Sequence, residues 1–231
     1  MAVQLDQVVP FGRSFDEYVK MFALSEADLQ SSILSVADGP ASFNAEGTQK
    51  GCRIQSVDPL YIFSANEIRD RFEAVLDDVI QQVEESQADY VWSYHPSPAV
   101  LKERRSCVTE NFCADYPNGK RAGRYRPGEL PSLSEESDAY ALGLVSHFLF
   151  LYSQQLDTAF HIAAIDEMLR ICKEVRIFPL LALNLEKSPH LLPVIHHLEQ
   201  AGYRCQIEKV SYEFQRGGNQ MLRIVSAPPA H

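Results

Sequence analysis

The sequence has few features of a secreted, membrane-spanning or metal-binding protein. Its five cysteines are scattered among 231 residues, and no two have the Cys-x-x-Cys spacing. Neither a disulfide framework nor a zinc site is therefore indicated. No stretch approaches the roughly 18 apolar residues needed to cross a bilayer, and residues 1–10 lack the basic flank and apolar segment of a signal peptide. We expect no metal, no membrane partner and a cytoplasmic location.

Positive charge is also scarce. Asp and Glu number 31 against 21 Lys and Arg, which gives a formal net charge of −10. Affinity for phosphate needs clustered basic residues, so this balance argues against a general nucleic-acid binder. One local exception, called here the basic cluster, comprises Lys102, Arg104, Arg105, Lys120, Arg121, Arg124 and Arg126. Such residues are typical of a solvated surface, and the alternative is a patch that binds RNA.

Apolar runs of strand length alternate with helical patterns, which predicts an α/β fold with a parallel sheet. Five strands are expected at Ile33–Val36, Arg53–Val57, Arg121–Arg126, Ser137–Ser146 and Glu174–Leu183. Two more runs, Tyr203–Glu213 and Met221–Ser226, flank Gly217-Gly218 and indicate a hairpin. We therefore predict one domain over residues 1–231, built on a seven-stranded, mostly parallel sheet with a C-terminal antiparallel hairpin.

The most informative feature is a turn of small residues and an acid that follows it. Strand one ends in Ala37-Asp-Gly-Pro-Ala41, and strand two ends at Asp58, 19 residues after Gly39. In an open α/β sheet, the carboxyl ends of such strands bound the crevice where nucleoside ligands bind. Small residues let backbone approach the ligand, and the acid can accept two ribose hydroxyls. The pattern predicts a nucleoside-cofactor site, although α/β proteins without such a ligand also contain it.

Helical spacing of apolar residues accounts for the segments between the strands. It predicts one or two helices over Ser14–Leu29, and single helices after Pro40, at Ser64–Gln87, from Pro98 to about Tyr116, at Leu156–Cys172 and at Ser188–Gly202. An ordinary crossover needs one helix, yet two lie between strands two and three. Residues 64–120 are therefore predicted to be a helical insertion after strand two that caps the cofactor face.

A set of motifs extends over nearly the whole length. They are Val9–Ser14, Glu17-Tyr18, Met21–Leu24, Asp38–Asn44, Asp58-Pro59, Ser146–Tyr152, Arg176–Leu180, Ser188–His190 and Tyr212–Asn219. Together they closely resemble a bacterial family of class I S-adenosylmethionine-dependent methyltransferases. The resemblance implies the class I sheet, S-adenosylmethionine as the cofactor, and transfer of its methyl group to an unidentified acceptor.

The same resemblance implies a set of cofactor-binding residues. They are Arg13, Tyr18, Ala37, Asp38, Gly39, Asp58, Leu60, Tyr61, Glu129, Leu130, Ser146, His147 and Phe148. Gly39 would admit the amino-acid end of the cofactor, and Asp58 would accept both ribose hydroxyls. Leu60 or Tyr61 would flank the adenine, and Glu129 would contact its amino group. Glu129 is equally well explained as a solvated loop acid.

Other positions in that set have roles with simpler alternatives. Arg13 would meet the cofactor carboxylate and Tyr18 would close the pocket, unless their helix only packs on the sheet. His147, between Ser146 and Phe148, would face both sulfonium and acceptor. It is the candidate catalytic base because its unperturbed pKa is near 6.5. Its alternative role is to orient groups through a hydrogen bond to backbone.

Two positions depart from the pattern of the superfamily. Ser35 stands where an acid is usual, and Ala37 stands where a glycine is usual. Alanine costs little there if its φ is negative. The predicted function is methyl transfer to a small molecule or RNA, and the alternative is a non-catalytic binding protein on the same scaffold. The sequence does not indicate an oligomeric state.

Overall fold

The computed structural model of this protein describes residues 9–226. Its strands are β1 (Ser32–Val36), β2 (Arg53–Val57), β3 (Tyr125–Arg126), β4 (Tyr140–Ser146), β5 (Cys172–Phe178), β6 (Tyr203–Lys209) and β7 (Gln220–Ser226). They form one sheet in the order β3-β2-β1-β4-β5-β7-β6. The first five strands are parallel, whereas β7 is antiparallel to β5 and β6. The predicted seven-stranded sheet and C-terminal hairpin are confirmed.

The helices lie where the apolar spacing predicts them. They are α1 (Phe15–Met21), α2 (Glu26–Gln30), α3 (Phe43–Gln49), α4 (Ala65–Glu85), α5 (Pro98–Arg121), α6 (Thr158–Ile171) and α7 (Leu191–Gln200). Ser14 caps α1 in a reciprocal capping box with Glu17. Residues 14–29, expected to form one or two helices, form two because Ser25 starts a second capped helix. None of the helices in residues 9–226 is long and apolar enough to span a membrane.

Helix α5 is longer than the sequence predicts. It continues past Tyr116 and Pro117 to Arg121, which leaves only two residues for β3. Proline removes one helical hydrogen bond, yet two side chains hold this last part in place. The Tyr116 hydroxyl donates to the Tyr61 carbonyl at 2.8 Å, and the Lys120 ammonium donates to the same oxygen. Tertiary contacts therefore outweigh the proline.

Two strands end earlier than predicted. β5 ends at Phe178 because Pro179, which follows, has no N–H to donate to a ladder. β6 ends at Lys209, and the chain then forms a loop, residues 210–219, before β7. In that loop the carbonyl of Phe214 accepts a hydrogen bond from Val91 at 2.8 Å. The residues after β6 therefore contact the segment between α4 and α5 instead of extending the hairpin.

The central strands are buried on both faces, which explains their nearly continuous apolar sequences. Leu34 and Val145 belong to a core shared with α6 and α7, while Ile33 and Leu144 belong to a core shared with α1 and α3. Strand order reverses between β1 and β4, which are adjacent. The carboxyl ends of strands at such a reversal form the usual ligand crevice of open α/β sheets.

Helices α4 and α5 run antiparallel to each other between β2 and β3. Ion pairs join Arg69 to Glu110 at 2.9 Å and Lys102 to Asp77 at 2.6 Å. The C-terminal half of α5 packs against α3 and β3, as a crossover helix does. The C-terminal half of α4 and the N-terminal half of α5, called here the cap, cover the carboxyl ends of the strands.

Candidate functional site

A cavity of about 500 Å³ lies between the cap and the carboxyl ends of β1, β2, β4 and β5. This volume lies in the range of small-ligand sites. Its sheet side is formed by residues 36–39 at the end of β1, 58–60 after β2, 146–148 at the end of β4 and 178–179 at the end of β5. The two segments that the sequence singled out, the small-residue turn and Asp58, therefore lie at one cavity.

The turn after β1 has a left-handed backbone at two positions. Ala37 has φ +60° and Gly39 has φ +54°. The condition under which alanine would cost little at position 37, a negative φ, is therefore not met. The N–H of Ala37 donates to the Val57 carbonyl at 2.9 Å, so position 37 still pairs with β2 while the chain turns away. A side chain in this conformation costs about 1–2 kcal/mol relative to glycine.

Asp58 joins the turn after β1 to the segment after β2. Its Oδ2 accepts a hydrogen bond from the Gly39 N–H and its Oδ1 accepts one from the Leu60 N–H, each at 2.8 Å. Burial raises the pKa of Asp58 to about 6, although these two backbone hydrogen bonds oppose the shift. Each carboxylate oxygen has a second acceptor site, so Asp58 is still able to accept ligand hydroxyls.

The side chain of Asp38 lies beneath the turn. Its carboxylate accepts hydrogen bonds from the hydroxyls of Tyr18 and Ser56, each at 2.7 Å, and from the hydroxyl of Ser35. Burial raises the pKa of Asp38. Ser35 stands where an acid is usual, and in this protein Asp38, three residues later, brings a carboxyl group to the Ser35 hydroxyl. Asp38 borders the cavity, but its side chain is committed to these three donors.

Tyr18 is placed by the same contact. Its ring stacks on Phe43 with centroids 4.2 Å apart, and its hydroxyl is held by Asp38. The residue borders the cavity and is 1% exposed. Tyr18 therefore forms part of the cavity wall and supports the turn, rather than acting as a free lid.

Arg13 is a cation that faces the cavity without an anionic partner. Its guanidinium donates to the carbonyl of Phe11 and, at 3.4 Å, to that of Gly12. Its buried Nε has no hydrogen-bond partner in residues 9–226, and no carboxylate of that part of the chain forms an ion pair with it. Burial and the nearby charge of Arg105 lower the pKa of Arg13 to about 10. It stays cationic at neutral pH and is suited to an anionic ligand group.

A buried charged group that the sequence did not reveal lies beside Arg13. Arg105 of α5 forms two hydrogen bonds of 2.7 Å with the Glu17 carboxylate and donates to the Gly12 carbonyl at 3.2 Å. Glu17 also accepts from the Tyr212 hydroxyl at 2.9 Å, and His95 lies 3.3 Å away. These contacts join the cap to α1 and to the loop before β7. Arg105 is thus not a surface member of the basic cluster.

His147 lies at the end of β4 with a left-handed backbone, φ +53°. Its N–H donates to the Phe178 carbonyl at 2.7 Å, and its Nδ1 lies 2.9 Å from the Ser146 hydroxyl. Burial, together with the charges of Arg13 and Arg105, holds its pKa well below the ordinary value of 6.5. The imidazole is therefore neutral at physiological pH. A strained backbone of this kind is common at functional sites.

The remaining predicted positions divide between the cavity and the protein interior. Leu60, Glu129, Leu130 and Phe148 border the cavity. Tyr61 does not: its ring is buried with Phe112, Tyr116 and Tyr125, and its hydroxyl donates to the Gly39 carbonyl at 2.9 Å. Residues 59–62 form a 3₁₀ helix, in which successive side chains point in different directions. The prediction that Tyr61 can flank a bound base is therefore wrong, and Tyr61 supports the turn from behind.

Replacing Ala37 by glycine is expected to raise the free energy of unfolding by about 1 kcal/mol and the melting temperature by about 2–4 °C. The reason is relief of the positive φ, which the alanine methyl opposes. Ala23, exposed and with φ +47°, is the matched control. Thermal unfolding is expected to show a similar gain for Ala23→Gly. Only Ala37→Gly is also expected to tighten ligand binding, because Ala37 borders the cavity and Ala23 does not. Loss of stability in Ala37→Gly would contradict the argument.

Comparisons with known proteins agree with this architecture. No protein-family model matches the chain. The solved structure of the mitomycin 7-O-methyltransferase MmcR has a TM-score of 0.50 and 12% identity. The similarity covers 92% of this chain and 54% of MmcR, so this chain spans about half of that protein. At this identity the likeness shows the fold, which is the class I methyltransferase fold.

The sequence relationship is stronger. Uncharacterized protein MJ0045 of Methanocaldococcus jannaschii is 37% identical over 223 residues, which cover 96% of this chain and 98% of the archaeal protein. This relative is archaeal, and the bacterial origin indicated by the motifs stays a prediction. The chain belongs to the same family as MJ0045.

Proposed function

We propose that this protein is an S-adenosylmethionine-dependent methyltransferase. The observation that carries the proposal is the convergence of three groups on one cavity. These are the turn at residues 37–39, the carboxylate of Asp58 and the guanidinium of Arg13. The backbone of the turn would contact the amino-acid end of the cofactor, Asp58 would accept its ribose hydroxyls, and Arg13 would pair with its carboxylate. The class I methyltransferase fold shared with MmcR supports the same conclusion.

The residues present fit this cofactor. Arg13 has an unused buried donor and would pair with the cofactor carboxylate. Asp58, fixed by two backbone N–H groups, would accept the ribose hydroxyls. Leu60 and Leu130 would contact the adenine, and Glu129 would accept from its amino group. When bound, S-adenosylmethionine supplies a methyl group activated by a positively charged sulfur.

The protein's own contribution would be alignment and exclusion of water. Methyl transfer is an in-line displacement, which depends on how the reacting atoms are held more than on a strong base. His147 lines the cavity as a neutral imidazole and would accept a hydrogen bond from the acceptor. If the acceptor loses a proton, His147 would be the group to receive it. Its lowered pKa makes the orienting role the one that the site supports better.

Calorimetry with S-adenosylmethionine and S-adenosylhomocysteine tests the proposal. We expect micromolar binding of both, and a loss of about 10–150-fold in Arg13→Met, the range for a hydrogen bond to a charged group. Arg121→Met, which removes an exposed cation, should bind as the wild type does. No binding at millimolar ligand would favour the alternative, a non-catalytic binding protein on this scaffold.

A further inference from the structure

We propose that the methyl acceptor is a small, uncharged and largely apolar molecule that binds beneath the cap. This inference rests on the proposed function and names the class of its second substrate. It follows from the lining of the cavity, the pairing of the charges around it, and the closure of the cap over it.

The part of the cavity beneath the cap is apolar. Val79 and Val83 of α4 and Leu101 of α5 line it from above, and Tyr90 and Phe214 close one side. Leu156, just before α6, lines it from the sheet side. Burial raises the pKa of Tyr90 to about 12, so its hydroxyl is uncharged. A ligand that replaces water there gains mainly by burying apolar surface, about 25 cal/mol per Å².

The charged side chains at the cavity are already accounted for. Asp38 is held by three hydroxyls, and Asp58 and Glu129, which follow β2 and β3 at the cavity, are assigned to the cofactor. Arg105 is neutralised by Glu17 in a two-bond ion pair. Arg13 is assigned to the cofactor carboxylate. Within residues 9–226 no cation at the cavity is left to bind an acceptor phosphate or carboxylate. Burying such an anionic group without a cationic partner is unfavourable.

The segment that connects the two helices of the cap is fastened to the loop that precedes β7. Backbone bonds run from Val91 to Phe214 at 2.8 Å and from Arg216 to Asp89 at 2.9 Å. The Arg216 guanidinium also donates to the carbonyls of Ala88 and Tyr90, at 3.0 and 3.1 Å. The part of the cavity beneath the cap is therefore closed on this side, which suits a small molecule and not a polymer lying across the cavity.

Five of the seven cations in the basic cluster, Arg105 among them, are engaged within the protein, whereas Arg104 and Arg121 have no ion-pair partner in residues 9–226. Lys102 pairs with Asp77 at 2.6 Å, Arg124 pairs with Asp115 at 2.7 Å, and Arg126 pairs with Glu135. Lys120 is occupied by the Tyr61 and Phe63 carbonyls. Phosphate binding by RNA needs unpaired cations. RNA is thus the less favoured acceptor, and it becomes an outcome of the test.

The first experiment uses 1-naphthol, a small apolar phenol with intrinsic fluorescence, and protein saturated with S-adenosylhomocysteine. We expect wild type to bind the probe. Val83→Trp on α4 and Leu101→Phe on α5 each add volume to the part of the cavity beneath the cap. Because the extra volume excludes the ligand, each should weaken binding of the probe at least about tenfold. Their affinity for S-adenosylhomocysteine should stay within about twofold of wild type, which also shows that they fold. Leu192→Trp, at a residue 74% exposed on α7, is the control.

The second experiment follows the methyl group. Protein and S-adenosylmethionine carrying a labelled methyl are incubated with cell extract, which is then separated into organic-soluble metabolites, RNA and protein. Label in the organic fraction, reduced in Val83→Trp, supports the proposal. Label in RNA or protein overturns it, as does failure of wild type to bind 1-naphthol while it binds S-adenosylhomocysteine. If wild type binds neither S-adenosylmethionine nor S-adenosylhomocysteine, the proposed function and this inference are both overturned.

Discussion

Replacing Arg105 by methionine is expected to lower the free energy of unfolding by about 3–5 kcal/mol, the usual cost of removing one partner from a buried ion pair. Methionine fills similar space but leaves the Glu17 carboxylate, 1% exposed, without its main partner. The two hydrogen bonds of 2.7 Å and the contact with the Gly12 carbonyl are lost together. Urea unfolding, followed by circular dichroism, measures the change.

The pH dependence of this loss identifies its cause. Burial alone would raise the pKa of Glu17, but Arg105 and the hydrogen bond with His95 hold it well below 4.5 in the wild type. That acid therefore stabilises the wild type above pH 4.5 and loses this contribution as the pH falls further. Without Arg105, burial dominates, and Glu17 or the adjacent His95 takes up a proton more readily. The deficit of the variant should be largest near neutral pH and shrink toward pH 4.5.

Two controls separate a buried charge from a general defect. Arg69→Met removes an exposed pair with Glu110 and should cost less than about 1 kcal/mol. Adding Glu17→Gln to Arg105→Met removes the orphan charge while glutamine keeps the capping box of α1. The double variant should be more stable than Arg105→Met alone. A deficit below about 1 kcal/mol, unchanged with pH, would show that this ion pair does not hold the cap.

Sequence patterns could predict the sheet and the position of the cavity because both follow from local rules. Apolar runs separated by helical segments require parallel strands. Once β1 and β4 are neighbours, the segments after their carboxyl ends must lie together. Hence the turn at 37–39, Asp58 and His147 could be placed at one edge from the sequence. Predicting these positions requires no knowledge of which side chains contact each other.

Partners distant in sequence are the part that could not be predicted. Arg105 looks like any basic residue of a surface helix, and its partner Glu17 lies 88 positions earlier. Tyr61 and Leu60 are adjacent in sequence, so only the 3₁₀ geometry shows which of them faces the cavity. The substitution at Ser35 looked like the loss of an acid, but Asp38 folds back to its hydroxyl. In each case a tertiary contact decides what the sequence leaves open.

Replacing Asp58 by asparagine is expected to weaken S-adenosylmethionine binding about 10–150-fold, the range for hydrogen bonds to a charged acceptor. Both carboxylate oxygens of Asp58 accept backbone hydrogen bonds, from Gly39 and from Leu60. Asparagine has one oxygen, so its NH₂ group must face one of these N–H donors. The turn is then held less firmly, and one acceptor for the ribose hydroxyls is lost. Calorimetry at neutral pH measures the change.

The pH profile ties this effect to the charge of Asp58. Burial raises its pKa to about 6, so the protonated form predominates below that pH. Wild-type affinity should be level above pH 6 and fall about tenfold per unit below it, because one proton must leave for the carboxylate to accept both hydroxyls. Glu129→Gln, which changes another acid at the cavity, should keep this profile, whereas Asp58→Asn should lose it. Equal affinity of wild type and Asp58→Asn from pH 5 to 8 would show that Asp58 does not hold the ribose.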